Sequence, residues 1–220
     1  MWAVDAIYDG LVELSPDLEV IPAIAESWDW VDGGVVFHLR KGVMFSAASD
    51  VPGLENGREL VASDVVFSLE RLRDPVVASP GGWILDAVKE KGIIALNDST
   101  VKISLKNDFP PFLGLLTTPY ASIVAPEAVK VRGVKFRFNP AGTGPFKVAW
   151  SVEDVALVLH KNTDYWEKDE SGNSLPYLDA VHIDFVPDMG SEYLGLIQGR
   201  YDFISGLHPA YMEDLMTQEG

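Results

Sequence analysis

Three groups of residues in this 220-residue chain have types and spacings that could do chemistry. The first is the glycine pair in "FNPAGTGPFKVAW", residues 138 to 150. A phosphate cradle of the Walker type needs four residues between its glycines, then Lys and Ser/Thr opening a helix. Here Lys147 follows Pro145 and Phe146, and the pattern that comes next is that of a strand. The dinucleotide fingerprint also fails, because its third glycine is missing, and no cofactor is expected. What remains is a tight turn with exposed N–H groups, its glycines permitting positive φ or close backbone approach. If Gly144 sits at positive φ, alanine there is disfavoured. Two readings stay open: a structural turn only, or a turn in which Thr143 and Gly144 also line a ligand cleft.

The second group is polar. None of His38, His160, His182 and His208 has a partner at metal-ligand spacing, and the first three lie on alternating segments where a solvent-facing histidine is ordinary, so no metal is expected. No G-x-S-x-G elbow supplies a nucleophile. The carboxylates of "YWEKDESGN" do not follow the D-x-D-x-D-G order of a calcium loop, and the segment reads as solvated. Among 33 acidic residues no acid–base pair stands out, and no catalytic residue is assigned. The third group is aromatic. Most of the 6 Trp, 7 Tyr and 10 Phe are explained by core packing. Trp83 after "SPGG" and Tyr120 after "TTP" sit beside glycine or proline at element ends, where a ring can wall a ligand site.

The elements that must carry these residues belong to a globular protein. Hydrophobic residues make up 47% and charged ones 23%, and the length suffices for two lobes. A net charge of −16 repels nucleic acid and anionic membrane surfaces. The absence of cysteine excludes disulfides and thiolate metal sites. No run of 18 apolar residues is present. No leader is visible. The chain opens on patterned residues and stops without a closing element, which suggests part of a longer protein.

Periodicity places the elements. Residues 1–14 read as a short helix entering an apolar stretch, followed by a turn at Ser15-Pro16-Asp17. Val35, Phe37 and Leu39 alternate with Val36, His38 and Arg40, as in a half-buried strand. Ser63 is placed to cap a helix that buries Val65, Leu69 and Leu72. "WILDAVKEKG" reads as a second helix ended by Gly92. Val101, Ile103 and Leu105 mark a strand, and "PPFLGLLTTPY" a short helix. "FKVAW" and "VALVLHK" form a hairpin across "SVED". "DAVHIDFVPD" is a strand, "EYLGLIQ" a helix capped by Ser191, and "YDFIS" a strand. The mixture indicates α/β or α+β rather than an all-β sandwich.

In their order, "YDGLVEL", "IPAIAESWDW", "FHLRKGVMF", "LVASDVVFSLERLRDP", "NPAGTGPFKV", "KNTDYW", "PYLDAVHIDFVPD" and "GRYDF" resemble the family 5 extracytoplasmic solute-binding proteins of ABC transporters, the oligopeptide, dipeptide and nickel binders. The resemblance implies an α/β fold of the type II periplasmic-binding-protein kind. Residues 1–14 and 140–220 would form part of the first lobe, 15–139 an inserted α+β domain, and the second main lobe would be absent. It implies capture of a peptide or similar solute between lobes, delivery to a membrane permease, a periplasmic or cell-surface location, and membrane attachment only through a lipid anchor outside this stretch. Trp83 matches an aromatic that lines the cleft of nickel binders. Ser122 stands about where those members place an arginine, which argues against an anionic metal chelate. Two other classes are carried beside this one: an acidic hydrolase with an aromatic-lined cleft, and the ligand-sensing module of a regulator.

Overall fold

A computed structural model describes residues 2–212. The chain divides into two compact units, Met1–Ala149 with Leu159–Val181, and Trp150–Val158 with His182–Gly220. The first unit opens with helix α1 (Trp2–Ile7). Strands β1 (Val12–Leu14) and β2 (Val20–Pro22) form an antiparallel hairpin. Its turn is the one read at Ser15-Pro16-Asp17: the Ser15 hydroxyl oxygen accepts from the N–H groups of Asp17 (3.2 Å) and Glu19 (3.1 Å). Strands β3 (Ala25–Val31) and β4 (Gly34–Leu39) follow. A small antiparallel pair, β5 (Met44–Phe45) and β6 (Arg58–Glu59), brackets the long loop between them.

Helix α2 (Ala62–Leu72) buries Val65, Leu69 and Leu72, as its spacing requires. Ser63 is not its cap. Val61 occupies that position with extended dihedrals, and the Asp64 carboxylate accepts the Val61 N–H at 2.9 Å. A 3₁₀ turn at Gly82–Leu85 leads into β7 (Val88–Asn97) and β8 (Thr100–Leu105). The strands assemble into an antiparallel sheet of order β3-β4-β8-β7, with α2 packed on β7 and β8. Val35, Phe37 and Leu39 of β4 and Val101, Ile103 and Leu105 of β8 are buried together, the alternation expected of a sheet covered on one face. The stretch 88–92, expected as helix, is therefore strand.

Helix α3 (Phe112–Leu116), a 3₁₀ turn at Pro119–Ala121, helix α4 (Pro126–Arg132) and a 3₁₀ turn at Gly133–Arg137 complete the covering layer. Arg58 ties it down. Its guanidinium donates to both Asp64 oxygens (2.7 and 2.8 Å) and to both oxygens of Glu127 on α4. Such planar two-pronged pairing is what arginine does better than lysine.

Strands β9 (Phe146–Val152) and β10 (Ala156–Lys161) are neighbours, as the hairpin reading requires, and β11 (Ala180–Asp184) completes a sheet of order β11-β10-β9. Helix α5 (Met189–Ile197) in the second unit is capped by Asp188, whose carboxylate accepts the Ser191 N–H at 2.7 Å, so Ser191 is the partner of the cap and not the cap. Residues 201–205, expected as a strand, form none. Instead the Tyr201 ring lies against Gly195 of α5, where a Cβ would approach it to 2.3 Å.

Candidate functional site

Within the first unit α1 and its exit, the second half of α2, and the segments after α3 enclose a cavity of about 210 Å³. Its walls are Tyr8, Ser68, Arg71, Tyr120, Ser122 and Phe136, with Val4, Leu72, Ser79, Pro119 and Val124 between them. The volume is below the roughly 300–1,000 Å³ of a complete small-molecule pocket, so it suits one portion of a ligand. Tyr120 and Ser122 thus sit together on this wall.

Local chemistry explains the placement. Pro119 opens the 3₁₀ turn that carries Tyr120, and the Ser122 hydroxyl donates back to the Pro119 carbonyl at 2.7 Å. Tyr120 lies against Gly81, where an added Cβ would come within 2.5 Å of its side chain, so the first glycine of "SPGG" makes room for it. Trp83 follows two residues later. It is not among the wall residues but is 53% exposed, a large bare ring close in sequence to Ser79 and Gly81. Ser68 is satisfied: its hydroxyl donates to the Asp64 carbonyl (2.8 Å) and accepts the Val124 N–H (3.0 Å). Tyr8 and Phe136 pack with ring centroids 6.3 Å apart. Burial pushes the Tyr8 hydroxyl well above the ordinary tyrosine range, and the charges of Arg71 and Arg132 act against that rise.

Thr143 and Gly144 do not line this cavity. Their turn is docked on the segment leaving α1. The Gly144 N–H donates to the Ile7 carbonyl at 3.0 Å, and the Thr143 hydroxyl donates to Asp9 at 2.7 Å. Ser46 N–H donates to the Gly142 carbonyl, and the Asn162 amide donates to the Gly144 carbonyl. Gly144 is not at positive φ. Its requirement for glycine is steric: a Cβ would stand 2.5 Å from the Ile7 carbonyl carbon and 2.8 Å from the Tyr8 nitrogen.

Sequence reasoning treated "YWEKDESGN" as one solvated loop. Only its second half behaves so: exposed Asp169 accepts from the Asn173 side-chain amide, the Tyr177 hydroxyl and the N–H groups of Asn173 and Ser171, which together hold its carboxyl down at about 2. The first half packs on Asp9, which accepts from Trp166 Nε1 at 3.2 Å and stands 3.4 Å from the Tyr165 hydroxyl. Tyr165 donates to Glu167 at 2.9 Å, and Arg40 lies 4.6 Å over the Trp166 ring. Loss of water raises the Asp9 carboxyl, a rise opposed by the hydrogen bonds from Thr143 and Trp166. Glu13 on β1 is pushed up to about 7, first by desolvation and then by the neighbouring charges of Glu167 and Asp9. The residues involved are 156 positions apart or more in places, so no local motif announces the cluster. Of the histidines, His38 bonds Asp29 at 2.9 Å, and all four are solvent-facing. Among the described residues no group of three His, Cys, Asp or Glu is arranged for a metal, and no helix is long and apolar enough to cross a membrane.

The family described as "Bacterial extracellular solute-binding proteins, family 5 Middle" matches residues 19–220. The chain belongs to this family. Among its relatives, "Di/tripeptide-binding protein 2" of Pseudomonas aeruginosa is 34% identical over 178 residues, which cover 73% of this chain and 33% of that protein. "Heme-binding protein A" of Haemophilus influenzae is 33% identical over 219 residues, covering 90% of this chain and 38% of the relative. The matched part therefore spans about a third to two fifths of the length of these relatives. In structure it is similar to the periplasmic binding protein DppA from Helicobacter pylori in complex with the peptide STSA, with a TM-score of 0.82 at 31% identity over 97% of this chain and 43% of that one. The fold is accordingly that of the family 5 periplasmic binding proteins, as the order of sequence blocks implied. One family with both peptide binders and a heme binder among its members does not fix the ligand.

Proposed function

We propose that this chain is part of the substrate-binding component of an ABC importer, which captures a peptide or similar solute and delivers it to a membrane permease outside the cytoplasm. The family match over residues 19–220 carries the reading. The cavity supports it: aromatic rings and hydroxyls converge on a space that fits part of a ligand. Tyr120 and Ser122 are its ligand-facing residues, and Trp83 extends the aromatic surface beside it. Thr143 and Gly144 act through position, by fixing Asp9 and the exit of α1. We assign residues 1–14 and 140–220 to one lobe and 15–139 to an insertion. The bonds joining Ile7 and Asp9 to Thr143, Gly144 and Trp166 support that assignment. The role is binding without turnover.

Equilibrium dialysis of the full-length protein against a pool of di- and tripeptides tests this, with mass spectrometry of what is retained. Peptides retained intact support the reading. Cleaved peptides would place the protein among hydrolases, and retention of none would remove peptides as the solute.

A further inference from the structure

Arg71 is the one charged residue on the cavity wall, in a chain whose net charge is −16. Three other arginines of the same layer are paired. Arg73 bonds Glu70, Arg58 bonds Asp64 and Glu127, and Arg132 bonds Asp50. Arg71 has no ion-pair or hydrogen-bond partner for its guanidinium among the described residues. The Tyr8 hydroxyl is in the same position, with no protein partner, and it feels the Arg71 charge. No buried side-chain polar atom is left unsatisfied among the described residues, so both groups keep access to the cavity or to solvent. No carboxylate lines the wall.

We propose that this cavity is a carboxylate-binding subsite, with Arg71 as counter-ion and the Tyr8 hydroxyl as a second donor. A guanidinium with its full set of N–H donors open, beside a phenol and inside a half-enclosed apolar wall of Leu72, Val124 and Phe136, recognises a planar anion by charge-assisted hydrogen bonds. Reduced solvent access strengthens that recognition relative to an exposed arginine. The cavity holds only part of a ligand, so the carboxylate is one end or one side chain of a larger solute. The proposal deepens the solute-binding reading and rests on it.

Calorimetry of the full-length protein against paired peptides tests it. Trialanine is compared with trialanine amide, and Ala-Glu-Ala amide with Ala-Gln-Ala amide. The carboxylate member of at least one pair is expected to bind about tenfold tighter or more, the scale of one charge-assisted interaction. Arg71→Gln is expected to bring that ratio close to one by weakening the carboxylate member, and Arg71→Lys to keep part of it. Preference in the first pair alone assigns the subsite to a chain-terminal carboxylate, and in the second alone to an acidic side chain. Wild-type protein that binds both members of each pair equally overturns the proposal and leaves the solute-binding reading standing. A ratio unchanged in Arg71→Gln overturns it too. Binding of no peptide at all overturns both.

Discussion

Replacing Gly144 with alanine tests how the "GTGP" turn is held. Gly144 lies outside the left-handed region, so the usual penalty for a Cβ there does not apply. The cost comes from contact. The added Cβ would stand 2.5 Å from the Ile7 carbonyl carbon, 2.8 Å from its oxygen and 2.8 Å from the Tyr8 nitrogen. All three are backbone atoms and cannot rotate away. Relieving the overlap must lift the turn from the α1 exit, which lengthens the Gly144 N–H bond to Ile7 and the Thr143 bond to Asp9. Overpacking of about 1–3 kcal/mol and roughly 1 kcal/mol for each of the two weakened hydrogen bonds give a loss of about 3–5 kcal/mol. In a chain of this size that lowers Tm by roughly 6–20 °C. Gly114→Ala is the control. Gly114 lies in α3 with nothing within 4 Å of its Cβ position, so alanine there should stabilise by up to about 1 kcal/mol. Thermal and urea unfolding followed by circular dichroism measure both variants. A Gly144→Ala protein within about 0.5 kcal/mol of wild type would refute the docking argument.

Two further outcomes concern charge. Arg58→Ala removes the fork that neutralises Asp64, whose side chain is 4% exposed, and should cost roughly 2–4 kcal/mol at pH 7 by urea unfolding. Arg58 holds the Glu127 carboxyl below its ordinary value, so this part of the stability is present above about pH 4.5 and lost as pH falls through the lowered folded value. The gap between variant and wild type should therefore narrow by pH 3, and a constant gap would contradict the pairing. Glu13 has the opposite sign. Its carboxyl is raised from 4.5 to about 7 in the fold, so ionisation opposes folding and its contribution falls as pH rises from 4.5 through 7. Glu13→Gln should raise Tm at pH 8 and leave it unchanged at pH 4, and equal shifts at both would show that the fold does not raise this carboxyl.

The legible parts of the fold were those whose periodicity and pairing agree. In β4 and β8 the buried residues alternate without interruption, and in α2 they recur every three or four positions. Residues 88–92 were misread as helix because two signals conflict. Ala87, Lys89, Glu90 and Lys91 favour helix, and Gly92 resembles a helix stop. The strand there is set by distant partners on β8, and the register shifts between Val88 and Ile93, with Lys91 at φ 52°, break its alternation. Gly92 is there because a Cβ would meet the carbonyls of Lys89 and Ser104. Of the cavity wall, Tyr120 and Ser122 were singled out from loop chemistry and block order. Arg71 was not, because an arginine at the end of an amphipathic helix looks like any solvated charge until three other arginines of its layer are seen to be paired. The Asp9 cluster was equally hidden, since its members come from opposite ends of the chain.

The account rests most on the cavity being where a solute binds, and the affinity of full-length Tyr120→Ala for the peptides retained in dialysis tests that directly. Tyr120 is 41% exposed and packs by one face against Gly81, so its truncation should leave the fold intact while removing a ring from the wall. A central aromatic contact is worth about 2 kcal/mol or more, so Kd should rise roughly thirtyfold with circular dichroism and Tm near wild type. A folded Tyr120→Ala protein that binds those peptides with unchanged Kd would contradict the account and place the solute elsewhere.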